Sequence, residues 1–181
     1  LMPDAQRQPK PKIILLYNES PDWPDSDKEW TARMIDTLTA ALNKLGYEYR
    51  PIRIFDSLAE LNNYDPREWL VWNWAEEIGG KPWTDAVVAT ELEQRGFAYT
   101  GSPATTLAFS CDRLKVKQRL RELGLPTLPA RLFTDPSRAG EWTVFPAIVK
   151  GANQHGSFGI DRDAIVHDTD QLARRIAYMR D

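Results

Sequence analysis

The apolar run at residues 13–17, Ile-Ile-Leu-Leu-Tyr, constrains the fold of this chain more than any other feature. It is continuous rather than alternating, which is typical of a strand buried on both faces of a sheet. Apolar residues then recur at helical spacing over residues 30–45, and the segments 47–55 and 68–74 again predict strands. Strands that alternate with helices predict βαβ units, and therefore a parallel sheet covered by helices.

Two capping boxes predict where helices of this region begin. Ser26 is followed three residues later by Glu29, and Ser57 in the same way by Glu60. In such a pair the serine side chain accepts a hydrogen bond from a free backbone N–H of the first turn, and the glutamate reaches back to the serine backbone. One helix is therefore expected to start near Ser26 and a shorter one near Ser57.

The pattern divides the chain into three segments. Residues 1–11 are polar and rich in proline and are expected to form a disordered tail, while residues 12–102 are expected to form the first α/β domain. The pattern of residues 103–181 predicts a smaller unit. It would contain two helices, then strands at residues 125–133 and 145–149, and finally a further strand and a helix.

Composition excludes several classes of protein. The formal net charge is −3 and the isoelectric point is about 5.5, so no nucleic-acid partner and no anionic membrane partner are expected. Cys111 is the only cysteine and there are two histidines, which excludes an internal disulfide and argues against a zinc cluster. Since no apolar run is long enough to span a membrane and no signal peptide is recognisable, a cytoplasmic location is expected.

The stretch Phe-Pro-Ala-Ile-Val-Lys-Gly-Ala-Asn-Gln-His-Gly-Ser-Phe-Gly-Ile, at residues 145–160, places a lysine and a polar loop directly after an apolar run. Lys150 at a strand end can place its ammonium against phosphate oxygens, and glycines let backbone N–H groups approach those oxygens closely. The order of residues fits neither a Walker A loop nor the dinucleotide-binding fingerprint. By itself the stretch leaves three alternatives: a phosphate-binding loop, a metal or nucleophile site on His155, and a plain connection between strands.

Linked motifs over roughly residues 70–180 give this loop a context. They are Tyr-Thr-Gly-Ser at 99–102, Asp112 with Lys117 in a charged helix, Gly-Leu-Pro at 124–126 followed by Pro129, and Ile-Val-Lys at 148–150 with the loop after it. In this order and spacing the chain resembles the ATP-grasp superfamily, specifically the D-alanine–D-alanine ligase-like enzymes.

The resemblance implies a fold and an activity. The fold would be α/β, with a parallel-sheet, Rossmann-like pre-ATP-grasp domain followed by the small α+β first subdomain of an ATP-grasp fold. The activity would be that of an ATP-dependent carboxylate–amine ligase, which forms an amide or peptide bond through an acyl phosphate and converts ATP to ADP. A degenerate relative that binds nucleotide or a partner without catalysis is one alternative, and a plain doubly wound domain without a nucleotide site is another.

The resemblance also assigns candidate ATP-binding residues. Lys150 would contact the α- and β-phosphates as a point charge, and the loop would cover the triphosphate through Gly156, Ser157 and Gly159. Arg113 stands where the family has its other ATP-binding lysine, so the positive charge is kept while the geometry differs.

On the substrate side the resemblance points to Asn73 and Glu76, in the segment Trp-Asn-Trp-Ala-Glu-Glu, and to Glu19 after the first strand. The substrates would be small molecules, namely an amino acid or another carboxylate and an amine. Mg²⁺ is implied as the ion that neutralises the triphosphate, with its ligands expected beyond residue 181 and none of them within the chain.

The sequence departs from the family pattern within the loop. Gly151 replaces a proline, and Gln154 and His155 stand where relatives often carry Glu and Asp. Because such a ligase has a second part after the segment that corresponds to this chain, the 181 residues are expected to be truncated and inactive by themselves. Dimerisation through the first domain is a further implication of the resemblance, and the oligomeric state is left open.

Overall fold

The computed structural model describes residues 10–154 and 159–180. The described residues form two compact units, the first extending to Leu107 and the second beginning at Ala108. The domain boundary expected after residue 102 stays a prediction.

The first unit is built on a four-stranded sheet in which all paired strands are parallel. Along the chain its elements are β1 (Lys12–Asn18), α1 (Asp25–Lys44), β2 (Tyr49–Ile54), a 3₁₀ segment (Ala59–Asn63), β3 (Trp69–Trp74), α2 (Asp85–Gln94), β4 (Ala98–Tyr99) and the start of α3 (Ala104–Cys111). The strands lie in the order β2-β1-β3-β4. The predicted α/β fold with a parallel sheet is therefore confirmed.

The continuous apolar run forms most of β1, an inner strand of this sheet. Ile14, Leu15 and Leu16 are fully buried, so side chains on both faces of the strand are covered. Burial of each such side chain stabilises the fold by about 1.5–3 kcal/mol, which is why no polar residue interrupts the run. The main core cluster contains Ile14 and Leu16 together with Ile52, Ile54, Leu58, Leu61, Trp69, Val71, Ala75, Val88, Leu92 and Phe97.

Both predicted capping boxes are wrong. α1 begins at Asp25, directly after Pro24, and no side chain caps it, so that Ser26 lies inside the first turn. Pro24 has an extended backbone that directs the chain into the helix, and the carboxylates of Asp25 and Asp27 complement the positive end of the helix dipole. The second helix is a 3₁₀ segment that starts at Ala59, also without a side-chain cap.

The second unit is smaller and mixes short strands with helices. Its elements are the end of α3, α4 (Arg113–Glu122), a 3₁₀ segment (Pro136–Glu141), β5 (Ala147–Ile148), a 3₁₀ turn (Arg162–Ala164), β6 (Ile165–Val166) and α5 (Thr169–Tyr178). β5 and β6 pair in the antiparallel direction. The core consists of Ala139, Val166, Leu172 and Ile176, with Phe133, Trp142, Phe145, Ala147, Val149 and Ala173 packed against them. Its assignment to the first ATP-grasp subdomain stays a proposal.

Two predicted strands of this unit differ from the structure. Residues 125–133 form no strand, because Pro126 and Pro129 remove backbone donors from the segment and so prevent a regular hydrogen-bond ladder. The strand predicted at residues 145–149 is confined to β5, since Pro146 likewise has no N–H to pair.

α1 is the longest of the helices described, with 20 residues, and it carries charged side chains along its length. Neither α1 nor any other helix within residues 10–154 and 159–180 is long and apolar enough to cross a membrane.

Candidate functional site

The sheet of the first unit has a point at which a ligand crevice is expected. β1 pairs with β2 on one side and with β3 on the other, so the connections that leave the carboxyl ends of β1 and β3 run in opposite directions. In parallel α/β sheets, ligands bind outside the strand ends at such a switch point. Asn18 ends β1 and Trp74 ends β3, which places the predicted residues Glu19, Asn73 and Glu76 at this edge.

Asn18 is a residue of this edge that the sequence prediction missed. It is 7% exposed, and its Oδ1 accepts a hydrogen bond from the backbone N–H of Glu76 at 2.9 Å. Its Nδ2 is buried and has no hydrogen-bond partner among the described residues. Asn73 acts in a similar way, because its Oδ1 accepts from the N–H of Ala75 at 3.2 Å. The two amides therefore fix the backbone that carries Glu76. The signal in the sequence is a polar residue at the end of an otherwise apolar strand.

The carboxylate of Glu19 already has a cationic partner in the structure. Its Oε1 accepts a hydrogen bond from Nη1 of Arg53 at 2.9 Å, and the Glu19 side chain is 21% exposed. Because the guanidinium balances the carboxylate charge, an ammonium group of a ligand would have to share or displace Arg53.

Tryptophan side chains lie beside this edge. The rings of Trp30 and Trp74 are 5.8 Å apart between centroids, so the start of α1 contacts the end of β3. An open cleft of about 200 Å³ lies next to Trp30 and is also lined by Trp23, Asp27 and Thr31. Trp30 and Trp74 thus have a packing role at this contact.

Residues of the Tyr-Thr-Gly-Ser motif connect β3 with α3. The hydroxyl of Thr100 accepts a hydrogen bond from the backbone N–H of Asn73 at 3.1 Å. The hydroxyl of Tyr99 donates to Glu93 at 2.6 Å, and the same carboxylate oxygen accepts from the N–H of Ala104 at 2.9 Å. Burial and the hydrogen bond to Glu93 raise the pKa of Tyr99 to about 12, and that hydrogen bond lowers the pKa of Glu93. The motif therefore fixes the end of the sheet and the first turn of α3.

In the second unit, Lys150 lies just after β5, at the point where the pairing of β5 with β6 ends. The N–H of Val149 donates to the carbonyl of Ala164 at 2.8 Å, which extends the β5–β6 contact up to the residue before Lys150. Lys150 itself is exposed, and its ammonium has no hydrogen bond or ion pair with any residue that the structure describes. This ammonium is therefore accessible to an anion.

Arg113 contacts the backbone that follows Lys150. Its Nε–H donates to the carbonyl of Gly151 at 3.0 Å, and its Nη2 donates to the carbonyl of Gln154 at 3.1 Å. The backbone N–H of Arg113 donates to the carbonyl of Ala152 at 3.1 Å. The structure thus brings Arg113 and the start of the predicted loop together. Nη1 of Arg113 has no hydrogen bond or ion pair with a described residue, so Lys150 and Arg113 both retain donors that fit the phosphates of a nucleotide.

The motif residue Lys117 has a different environment. Its Nζ donates to the carbonyl of Leu128 at 2.9 Å and to the hydroxyl of Thr127 at 3.2 Å. The chain reaches these residues after a turn at Gly124, whose φ of +68° is one that glycine adopts without strain. Lys117 therefore anchors the proline-containing segment.

Gly159 lies at the far end of the loop, in a position that disfavours a side chain. Its φ is +61°, and a β-carbon there would lie 2.8 Å from Sδ of Met179. Its carbonyl accepts a hydrogen bond from Nη2 of Arg175, a residue that is only 7% exposed. Arg175 also forms an ion pair with Asp161 at 2.9 Å and lies 4.4 Å from the ring centroid of Tyr178. The sequence prediction missed Arg175, which reads there as one of several charged residues in a helix.

The remaining predicted loop residues Gly156 and Ser157, together with His155, lie outside the described residues, and their roles stay predictions. Within residues 10–154 and 159–180, no three His, Cys, Asp or Glu side chains lie close enough together to hold a metal ion.

Comparison with known sequences relates these features to a group of enzymes. No protein-family model matches the chain. The chain is 31% identical over 129 residues to a D-alanine–D-alanine ligase of Moorella thermoacetica, covering 70% of this chain and 40% of the ligase. It is 28% identical over 154 residues to a D-alanine–D-alanine ligase of Pseudomonas putida, covering 82% and 45%. It is also 26% identical over 162 residues to an uncharacterised protein, y4sG, of Sinorhizobium fredii, covering 85% and 47%.

The described part of the chain is thus an α/β protein with a parallel sheet, and its sequence is similar to that of ligases. More specifically, the chain is D-alanine–D-alanine ligase-like, and the matches fall on the amino-terminal portion of those ligases, so the predicted resemblance is confirmed. The chain spans between 40% and 47% of the length of the three relatives.

Proposed function

We propose that this protein functions in the ATP-dependent ligation of a carboxylate to an amine. The observation that carries the proposal is the exposed ammonium of Lys150, which lies two residues after β5 and precedes backbone held by Arg113. The ligase relatives support the same activity. Because the chain spans less than half of those relatives, the activity is proposed for the whole protein. The 181 residues by themselves are expected to bind nucleotide without turnover.

The residues of the second unit bind the nucleotide in this proposal. Lys150 contacts the α- and β-phosphate oxygens as a point charge, and Nη1 of Arg113 adds a second cationic donor. Gly156, Ser157 and Gly159 are proposed to cover the triphosphate, as the sequence predicts. Since Gly159 also has a positive φ that disfavours other residues, replacing it would strain the backbone there as well as affect any phosphate contact.

The proposed chemistry joins two small molecules. Transfer of the terminal phosphoryl group of ATP to the carboxylate gives an acyl phosphate and ADP, and attack of the amine on the acyl carbon then forms the amide and releases phosphate. Asn73, Glu76 and Glu19, at the edge of the sheet in the first unit, are proposed to contact a substrate. Mg²⁺ is the proposed cofactor, and no ligand for it is assigned among the described residues.

A second candidate function is binding of nucleotide or a partner without catalysis. The ion pair between Glu19 and Arg53 favours it, because a carboxylate whose charge is already balanced attracts a substrate ammonium less strongly. Gln154 also favours this candidate, because it is neutral at a position where the ligase pattern has an acidic residue.

ADP release by the full-length protein tests the proposal. The reaction contains ATP, Mg²⁺ and pairs of carboxylates and amines, with each substrate omitted in turn. Ligation predicts ADP release that needs both substrates and falls by about tenfold or more in Lys150→Ala. Arg121→Ala, which removes an exposed positive charge of the same unit, is expected to stay within about twofold of the parent. ATP binding without substrate-dependent ADP release would instead support the second candidate.

A further inference from the structure

We propose that Arg113 is a positioning residue, which fixes the backbone immediately after Lys150 and thereby sets where the Lys150 ammonium meets a nucleotide phosphate. The inference rests on the proposed nucleotide site for the role of Lys150. The contact between Arg113 and the backbone is a separate observation, because it is given by hydrogen bonds within the chain.

Arg113 holds several backbone acceptors in the segment after Lys150. Arg113 donates to carbonyls of three of the four residues that follow Lys150: Gly151 and Gln154 through the guanidinium, and Ala152 through the backbone. Nε and Nη2 belong to one rigid plane, so the two carbonyls that they contact are held at a fixed separation and orientation. Arg113 therefore restrains the direction in which the chain leaves Lys150.

The backbone position of Arg113 is itself fixed by the cap of α4. Arg113 is the first residue of α4, and the carboxylate of Asp112 caps that helix by accepting from the N–H groups of Leu114 and Lys115, both at 3.0 Å. A cation is not favoured at the positive end of a helix dipole. The carbonyl oxygens after Lys150 supply the negative partial charge that stabilises the guanidinium in this position.

The geometry also explains what arginine provides at a position where the family pattern has lysine. A lysine carries one nitrogen at the end of a flexible stem, which cannot occupy the positions of both Nε and Nη2. Arginine can hold the backbone with those two nitrogens and still present Nη1 to an anion. The exchange of lysine for arginine thus adds a backbone contact while it keeps the charge.

Trypsin cleavage of the Lys150–Gly151 bond tests the contact without nucleotide. The full-length Arg113→Lys variant keeps the charge and loses the paired contact, so cleavage after Lys150 is expected to rise by about tenfold relative to cleavage after Lys115, which reports on α4 itself. Arg121→Lys makes the same exchange at an exposed position of α4 and is expected to leave the ratio unchanged. An unchanged ratio in Arg113→Lys would overturn the proposal.

ATP affinity tests the positioning role. Arg113→Lys is expected to weaken ATP binding by about tenfold at an unchanged thermal unfolding temperature, and Arg121→Lys to have no effect. If Arg113→Lys binds ATP as tightly as the parent while Arg113→Ala does not, Arg113 acts as a simple cation and the positioning role is overturned. If Lys150→Ala leaves ATP affinity unchanged, the nucleotide site itself fails, and the positioning role fails with it. Failure of the nucleotide site can be told apart from failure of the backbone contact, because the trypsin ratio of Arg113→Lys does not depend on ATP binding.

Discussion

The side chain of Gln154 lies over the α-carbon of Gly151, in the space that a β-carbon at residue 151 would need. A β-carbon added there would be closer than 3.0 Å to Cγ, Cδ and Nε2 of Gln154. Both positions depart from the family pattern, which has a proline and an acidic residue there. The two departures therefore form one local packing arrangement directly after Lys150.

This arrangement predicts that substitutions at the two positions are not additive. Gly151→Ala must displace the Gln154 side chain, and because that side chain is flexible we expect a loss of only about 1 kcal/mol or less in the free energy of unfolding. In a Gln154→Ala background the same change should be neutral or slightly stabilising, since alanine reduces the freedom of the unfolded chain. Urea unfolding of the parent, both single variants and the double variant should give a coupling of about 0.5–1 kcal/mol. Additive changes would contradict the packing seen in the structure.

The buried guanidinium of Arg175 predicts a large effect at one of two adjacent arginines. Arg175→Ala removes the hydrogen bond to the Gly159 carbonyl, the ion pair with Asp161 and the contact with Tyr178, and we expect it to lower the free energy of unfolding by about 2–3 kcal/mol. Arg174→Ala changes an exposed neighbour and should stay within about 0.5 kcal/mol of the parent. Equal losses in the two variants, measured by urea unfolding, would be inconsistent with the described burial.

The hydroxyl of Tyr99 predicts a specific dependence of stability on alkaline pH. Burial and the hydrogen bond to Glu93 raise the pKa of Tyr99 from 10.0 to about 12. The folded state therefore favours the neutral hydroxyl, and this contribution is complete below pH 10.0 and is lost as the pH rises towards about 12. Tyr99→Phe cannot show this loss, so its stability should fall less than that of the parent over the same range.

Tyr49→Phe is the matched control for this measurement, because the Tyr49 hydroxyl has no hydrogen bond to a described residue. Unfolding of the three proteins by urea at several pH values between 9 and 12 gives the comparison. If the parent and Tyr99→Phe lost stability in parallel, the Tyr99 hydroxyl would not be the group that titrates.

Local sequence patterns predict the buried strand of the first unit correctly but not how its helices are capped. The run at residues 13–17 predicts a strand buried on both faces, and Ile14, Leu15 and Leu16 are buried as expected, because burial on both faces excludes polar residues. The start of α1 is different, since Pro24 and the acidic residues after it replace a serine cap that fits the motif equally well. Several local solutions satisfy the same free N–H groups, and the sequence alone does not rank them.

Long-range contacts account for the parts of the site that the sequence does not predict. Arg113 meets Gly151 and Gln154 across 38 and 41 positions of the chain, and no local pattern pairs these residues. Arg175 meets Gly159 across 16 positions in the same way. The motif spacing identifies Lys150 and Arg113 as candidates, whereas the contact between Arg113 and the loop backbone emerges only from the fold.

Equilibrium binding of ATP to the full-length protein, measured by titration calorimetry, tests the central claim most directly. If Lys150 binds the nucleotide phosphates, Lys150→Ala should raise the Kd by about 10-fold to 100-fold, as expected for loss of a hydrogen bond to a charged group. Arg121→Ala, which removes a positive charge from an exposed position of the same unit, should leave the Kd within about twofold of the parent. An unchanged Kd in Lys150→Ala, or equal losses in both variants, would contradict the assignment of Lys150 to a nucleotide site.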